Sequence, residues 1–350
     1  MSLPPVRRSF LSVASALAAL VAALFVMDWA IGRWLETPAR GARFDPRFGV
    51  VEQPHVRVVQ SMEGWGSLTT NALGFFDDEL RTPRPKLRAL LQGDSYAEAL
   101  QMSHDENFST VAERACPGVE VVNTAHSGRF LAHYAAYLRG TWDAVQPDVL
   151  VIQVNDTDVG ELGEPELLSN VWNELAGHPP FWGAAPSHSP VGRLRELLAR
   201  SALLKLTFVR INLLTRFERE RFARKFASKE TAALDDRPVK PRAIVVADSL
   251  MELIERIAPR PIIVYIPNLD YQSSPPAPFS PPRRAFWLDL ARRHGATIVD
   301  PTDSLIALYR HDGQFLHGFA NTRIGNGHLN ARGHAVVGRM LGRALAERMR

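Results

Sequence analysis

The sequence predicts an α/β protein, a parallel sheet of about five strands with helices on both faces, preceded by an N-terminal helix that crosses a membrane. Three observations carry this. Five short apolar runs rich in β-branched residues alternate with longer helix-like stretches. Each run stops at a polar or turn-forming residue, as strands of a doubly covered sheet do. A long apolar segment stands behind two arginines at the start of the chain.

That first segment runs from Phe10 to Val26, interrupted only by Ser12 and Ser15, and Met27 to Trp34 extends it past Asp28 and Arg33. It approaches the roughly 20 residues that span a bilayer as a helix. Arg7 and Arg8 ahead of it predict a cytoplasmic N-terminus with the rest exported, and Trp29 and Trp34 fall at the far interface. A cleaved signal peptide needs a shorter apolar core and a small-x-small site. Here the alanines from Ala14 to Ala23 lie inside the run and Asp28-Trp29 follows it, so a retained signal-anchor is the preferred reading. The expectation is a single-pass protein of the inner (plasma) membrane with most of the chain on the periplasmic, extracytoplasmic side.

Residues 1–34 are thus read as the anchor and 35–85 as a connector broken by Gly and Pro, with a short strand at His55 to Gln60. Residues 86–350 form the main domain. Its strands are Leu87 to Leu91, Val119 to Val122, Val149 to Val154, Pro261 to Ile266 and Thr297 to Val299. Helix-like stretches include Phe130 to Trp142, Ala243 to Ile257 and Arg283 to His294. Ligands of such sheets bind beyond the carboxyl ends of the strands. Ser95, Asn123 and Asn155 all follow those ends, which marks one edge of the sheet as the functional one.

An insertion at about 160–242 separates the third and fourth strands. It holds a proline-rich patch from His178 to Pro190 and a basic stretch from Arg193 to Lys229. A cap packed on the domain is the preferred reading, with a membrane-surface helix carrying Leu213, Phe217, Phe222 and Phe226 as the alternative. The net charge is only +4, so a sequence pI near 9.4 reflects abundant arginine rather than a strong field. The basic stretch reads as a solvated helical face; without zinc-finger spacing or an RNP-like motif, no nucleic-acid partner is expected. Cys116 is the single cysteine, which excludes an intrachain disulfide and cysteine metal sites and reads as a buried structural thiol. No phosphate-cradling glycine motif and no metal-ligand spacing occurs, so no cofactor and no metal are expected.

Serine hydrolysis needs a nucleophile, a base and donors for an oxyanion. Gly93-Asp94-Ser95 places a hydroxyl at a turn entering a helix, where the positive helix end favours developing negative charge. Alone, this tripeptide is equally a helix cap. Three further blocks follow in order: Val121-Val122-Asn123-Thr124-Ala125-His126-Ser127-Gly128, then Asn155-Asp156, then Gly327-His328-Leu329-Asn330. As an ordered set they resemble the SGNH (GDSL) hydrolase family, over roughly Leu87 to the C-terminus apart from the insertion. Asn71-Ala72-Leu73-Gly74-Phe75 also looks like a segment that precedes the first block in membrane-anchored bacterial members.

The resemblance implies a three-layer α/β/α flavodoxin-like fold, Ser95 as nucleophile, His328 as base, and an oxyanion hole from the N–H groups of Ser95 and Gly128 with the Asn155 side chain. His126 is expected to line the pocket rather than act as a base. His328 is set apart from His311, His317 and His334 by its place before Asn330, a candidate N-cap for the last helix. Two departures stand out. Gln153 occupies a position where the family usually has glycine, which is expected to reshape the pocket wall. The family's Asp two or three residues before the base is replaced by Gly325 and Asn326. Asn326, a backbone carbonyl or a distant acid such as Asp300 is then left to orient His328. The implied activity is serine-esterase cleavage of an acyl ester, O-acetyl foremost, through an acyl-Ser95 intermediate. An O-acyltransferase acting on a cell-envelope polysaccharide is the first alternative and a degenerate, non-catalytic binding or assembly protein the second. The expected partners are the membrane, through the N-terminal helix, and an acyl ester or acylated glycan.

Overall fold

A computed structural model describes residues 5–38, 42–175, 200–207 and 237–350. The chain divides into two compact units, of which the larger holds the described residues of 42–57, 62–175 and 237–350 and the smaller those of 5–38, 58–61 and 200–207.

The short strands β1 (Arg43–Asp45) and β2 (Gly49–Val51) pair as an antiparallel hairpin. Next come β3 (Arg57–Gln60) and β4 (Gly66–Thr69). The central sheet is built from β5 (Leu87–Gln92), β6 (Val119–Asn123), β7 (Val149–Asn155), β8 (Ile262–Ile266) and β11 (Thr297–Val299), after the small β9 (Leu269–Asp270) and β10 (Ala277–Pro278) pair. Its order is β11-β8-β7-β5-β6 and every pairing is parallel. This is the doubly wound order in which the strand sequence reverses between β5 and β7, and that reversal opens a crevice at their carboxyl ends. The α/β/α architecture with its five-stranded parallel sheet agrees with the sequence expectation.

The near-continuous apolar strands follow from burial on both faces. Successive side chains alternate, so Leu90, Ile152 and Ile263 enter one core while Ala89, Leu91, Val151 and Val264 enter the other. The first core is closed by α4 (Leu131–Val145), α7 (Pro241–Glu255) and α8 (Pro281–Arg293), through Leu138, Met251, Ile254 and the fully buried Trp287. The second is closed by α3 (Phe108–Ala115), α9 (Thr302–Asp312) and α10 (Ala331–Arg348), through Phe108, Leu305, Val337 and Leu341. Each such side chain contributes about 1.5–3 kcal/mol on leaving water. Cys116 is buried in this second core, and burial pushes its thiol up. Helices α7 and α8 begin two residues earlier than their apolar periodicity suggested. Pro241 and Pro281 open them, a position where the missing N–H has no partner to lose.

Two short helices complete the functional edge, α2 (Ser95–Glu98) after β5 and α5 (Asp156–Leu162) after β7; α6 (Pro165–Leu175) follows. The proline-rich patch His178 to Pro190 and the positions Leu213, Phe217, Phe222 and Phe226 lie outside the described residues.

In the smaller unit, α1 (Pro5–Trp34) contains a 23-residue stretch, Ser12–Trp34, of mean hydropathy 2.0 with none of it buried. At about 1.5 Å per residue it is long and apolar enough to cross a bilayer core of roughly 30 Å. Trp29 and Trp34 are exposed at its end, packed edge to face at 5.3 Å. Asp28, the acid that breaks the apolar run, accepts the Ser201 hydroxyl at 2.5 Å and the Leu203 N–H at 2.9 Å. The buried Glu36 pairs with Lys205 at 2.9 Å, so this basic residue is an ion-pair partner and not a free cation.

Helices α3 and α10 meet where a Cβ built on Gly338 would stand 2.5 Å from Val111 Cβ and 2.7 Å from Phe108 O. Gly338→Ala is expected to lower stability by about 1–3 kcal/mol in denaturant unfolding, because overlap outweighs the helix propensity of alanine. Gly160→Ala in α5, where the same atom meets nothing within 4 Å, is expected to be neutral or stabilising by up to about 1 kcal/mol.

Candidate active site

The turn after β5 is held from below. Gly93 sits so close to its neighbours that a Cβ would lie 2.6 Å from Ala97 Cβ and 2.7 Å from Gln153 Oε1. Gln153 is fully buried and its Oε1 accepts the Asp94 N–H at 2.9 Å. The expectation that Gln153 reshapes a pocket wall is therefore corrected: the side chain is buried and braces the turn that precedes Ser95. Asp94 caps α2 through Oδ1, which accepts the Tyr96 N–H at 2.8 Å, and its Oδ2 accepts Asn155 Nδ2–H at 2.6 Å. Ser95 is the first residue of α2, so its N–H has no acceptor within the helix.

His328 lies in the loop before α10. Its Nε2 is 2.7 Å from Ser95 Oγ, and its Nδ1 is 2.6 Å from Glu63 Oε2. The other oxygen, Glu63 Oε1, accepts the His328 backbone N–H at 2.9 Å. This doubly held carboxylate makes Nδ1 the protonated nitrogen and leaves Nε2 as the acceptor facing the serine hydroxyl. Burial pushes Glu63 up, but its hydrogen bonds to the ring and backbone of His328 and the electrostatic attraction of that side chain outweigh burial and hold the carboxyl below its ordinary value. Gly327 has φ +96°, and a Cβ there would stand 2.4 Å from Glu63 Oε1, so only glycine lets the acid approach the base. On its other side the imidazole packs against the Tyr96 ring at 4.7 Å.

The side chain that meets His328 Nδ1 is thus Glu63. The Asn326 N–H donates to Arg323 O at 3.3 Å within the turn, while Asp300 is taken up by Arg284 at 2.7 Å and by the Thr302 N–H at 3.0 Å. Glu63 comes from the connector, 265 positions before the base. The local sequence carries only one trace of it: glycines at 64 and 66 bracket Trp65, a sign of close backbone packing. The Gly64 N–H and C=O are both bound by the Asn321 amide, at 2.8 and 2.7 Å, and the Trp65 N–H donates to Gln101 O at 3.0 Å.

The other expected residues converge on the same edge. Asn155 Oδ1 accepts the Thr157 N–H at 2.7 Å, and one Nδ2 hydrogen is taken by Asp94, which leaves the second for a ligand. Gly128 has φ +83° with open space where a side chain would be. Its loop is fixed by Ser127, whose N–H donates to Glu98 Oε2 at 3.1 Å and whose hydroxyl also donates to that oxygen. His126 is in the same loop, with Nδ1 3.0 Å from Ser127 O. The buried His317 is held by Tyr271 at 2.8 Å and Pro267 O at 3.0 Å, and burial drops it to about 4; His334, also buried, falls to about 3 and accepts the Phe108 N–H at 3.0 Å. Both are neutral structural histidines, which separates them from His328. Among the described residues no group of three or more His, Cys, Asp or Glu is placed to hold a metal ion.

No family model matches the chain, and no curated protein does either. Among solved structures, the chain is similar to a lipase/acylhydrolase from Enterococcus faecalis, at 14% identity and TM-score 0.39, over 75% of this chain and 96% of that one. It is also similar to a lipolytic protein of the G-D-S-L family from Veillonella parvula, at 12% identity and TM-score 0.37, over 72% and 94%. A catalytic mutant of an acetylxylan esterase from Geobacillus stearothermophilus matches at 14% identity and TM-score 0.36, over 75% and 94%.

Behind the oxyanion side lies a group of acids. Burial raises Asp94 to about 6 and Asp158 well above its ordinary value, and Glu161 is raised to about 7 by burial and then by the charge of Asp94. For Glu161 the folded value exceeds the ordinary 4.5, so the folded state holds the extra proton between those limits and its stability falls as pH rises through them. Glu161→Gln is therefore expected to raise the thermal unfolding midpoint relative to the parent at pH 8 and to leave it unchanged at pH 4.5.

Proposed function

We propose that this chain is a membrane-anchored serine esterase of SGNH type, acting on an O-acyl ester, O-acetyl foremost, through an acyl-Ser95 intermediate. The observation that carries this reading is the unbroken line from Glu63 through His328 to Ser95 Oγ, with contacts of 2.6 and 2.7 Å. His328 Nε2 takes the hydroxyl proton as Oγ attacks the acyl carbon, and Glu63 stabilises the imidazolium that forms. The carbonyl oxygen gains its charge between the N–H groups of Ser95 and Gly128 and the spare Asn155 Nδ2–H, at the positive end of α2. His328 then passes the proton to the leaving alkoxide, which departs as the alcohol. Water, activated by the same imidazole, attacks acyl-Ser95, the acid leaves, and Oγ recovers its proton. A second alcohol in place of water turns the same steps into acyl transfer.

The non-catalytic reading rested on the missing acid beside His328, and Glu63 fills that place. The length and apolarity of Ser12–Trp34 behind Arg7 and Arg8 support a signal-anchor with the esterase unit on the periplasmic, extracytoplasmic side.

With the full-length chain in detergent and p-nitrophenyl acetate as substrate, Ser95→Ala is expected to abolish turnover and fluorophosphonate labelling. Glu63→Gln is expected to cut kcat by about 10³–10⁴-fold with unchanged thermal unfolding, the loss that follows when the base adopts the wrong tautomer. Asn326→Ala is expected to leave the rate nearly unchanged. Equal losses in Asn326→Ala and Glu63→Gln would refute the assignment of the acid.

A further inference from the structure

A cavity of about 320 Å³ lies beside the acid and the base, with Trp65, Met102 and Phe319 as its apolar wall and Gln101, Glu106 and Arg332 as polar wall. Trp65 is 51% exposed, so its indole face is offered to solvent. The Phe319 ring lies against Gly64, where a Cβ would meet it at 2.8 Å, so the aromatic wall and the strap that carries Glu63 are one packed piece. Trp65 is two residues beyond Glu63, and Asn330, also in the wall, is two residues beyond His328. Two residues of chain reach at most about 7 Å, so the backbone segments that carry Glu63 and His328 also supply part of the cavity wall.

Its side of the site is set by the chemistry. The base must reach the leaving oxygen to protonate it, so the alcohol half of the ester lies on the His328 side. The acyl oxygen points to Gly128 and Asn155, which come from the loops after β6 and β7. The cavity shares its backbone with Glu63 and His328 and takes no residue from those two loops. We propose that this cavity is the subsite for the alcohol moiety and that it receives a pyranose ring, stacked on Trp65, of an O-acylated oligosaccharide or polysaccharide. An aromatic face gives area to the apolar C–H face of a sugar, and polar side chains around it answer the ring hydroxyls. Glu106 is exposed and held by Ser103, and Arg332 is paired with Asp312, so an alkyl chain laid across the cavity would take water from both charged groups, whereas a hydroxylated ring would not. The same subsite serves an acceptor sugar if acyl transfer replaces hydrolysis. The inference rests on the serine-ester reading, since it takes its direction from the proton transfer at His328.

The test is binding by the full-length chain carrying Ser95→Ala, which separates occupancy from turnover. Calorimetric titration with xylohexaose, mannohexaose, chitohexaose and hexagalacturonate at millimolar concentration is expected to give saturable binding of at least one. Adding Trp65→Ala is expected to weaken that binding tenfold or more, and Trp65→Phe, which keeps a ring, is expected to restore most of it. Thermal unfolding of each variant confirms that the strap is intact, and Phe319→Leu repeats the test from the other wall should Trp65→Ala fail to fold. Absence of binding by all four saccharides overturns the inference, as does equal binding by the Trp65→Ala chain. Binding of decanoate that weakens in Trp65→Ala while saccharides do not bind assigns the cavity to an acyl chain and also overturns it. Saccharide binding by a chain whose Ser95 parent fails to turn over p-nitrophenyl acetate would leave the subsite standing and remove the esterase reading.

Discussion

The arrangement of the whole site depends on one contact, the carboxylate of Glu63 against both nitrogen donors of His328, ring and backbone. A single oxygen on Nδ1 would fix a tautomer; the second, on the main-chain N–H, also fixes where the loop before α10 stands. That geometry needs a close approach, which Gly327 permits, and a held acid, for which Asn321 and Gln101 grip the two residues that follow it, Gly64 and Trp65. The short strap from Glu63 to Gly66 therefore does two things. It orients the base, and it presents Trp65 at the edge of the site.

On the opposite side, Asp94, Gln153 and Asn155 form a buried chain of hydrogen bonds, with Gln153 Nε2 left without a partner among the described residues. Gln153 accepts from the Asp94 N–H, Asp94 accepts from the Tyr96 N–H and the Asn155 amide, and Asn155 accepts from the Thr157 N–H. This order fixes the orientation of the Asn155 amide, with one Nδ2 hydrogen on Asp94 and Oδ1 on the Thr157 N–H. Its cost is a crowd of carboxylates in a poorly solvated region, seen in the raised values of Asp94, Asp158 and Glu161. Backbone N–H donors to Asp94 and Asp158 offset part of that cost, so the acids persist where the oxyanion donors must be held still.

Several elements of this protein were legible before any coordinates. The five strands fall within one or two residues of the apolar runs, because strands buried on both faces are near-continuous apolar runs with few polar positions to blur their limits. Ser95, Gly128, Asn155 and His328 come to one edge because each follows a strand end or precedes a helix in a doubly wound sheet. Residues 35–85 were another matter. The strand Arg57–Gln60 was legible as the run His55 to Gln60, but the other short strands have three or four residues and no periodicity to mark them, and an acid among them looks like any solvated carboxylate.

The amino-acid sequence by itself determined the class of sheet and the apolar N-terminal helix, and it placed Ser95, Asn155 and His328 at strand ends and before a helix, all through local patterns: burial period, strand ends and helix caps. Only the tertiary structure decided which acid meets His328, what Gln153 bonds, and that a cavity is lined by Trp65 and Phe319. The reason is separation along the chain. Glu63 meets His328 across 265 positions, and Gln153 meets Asp94 across 59, so neither contact leaves a spacing to read. A long-range contact between side chains of ordinary type becomes visible only once the sheet has placed the segments that carry them.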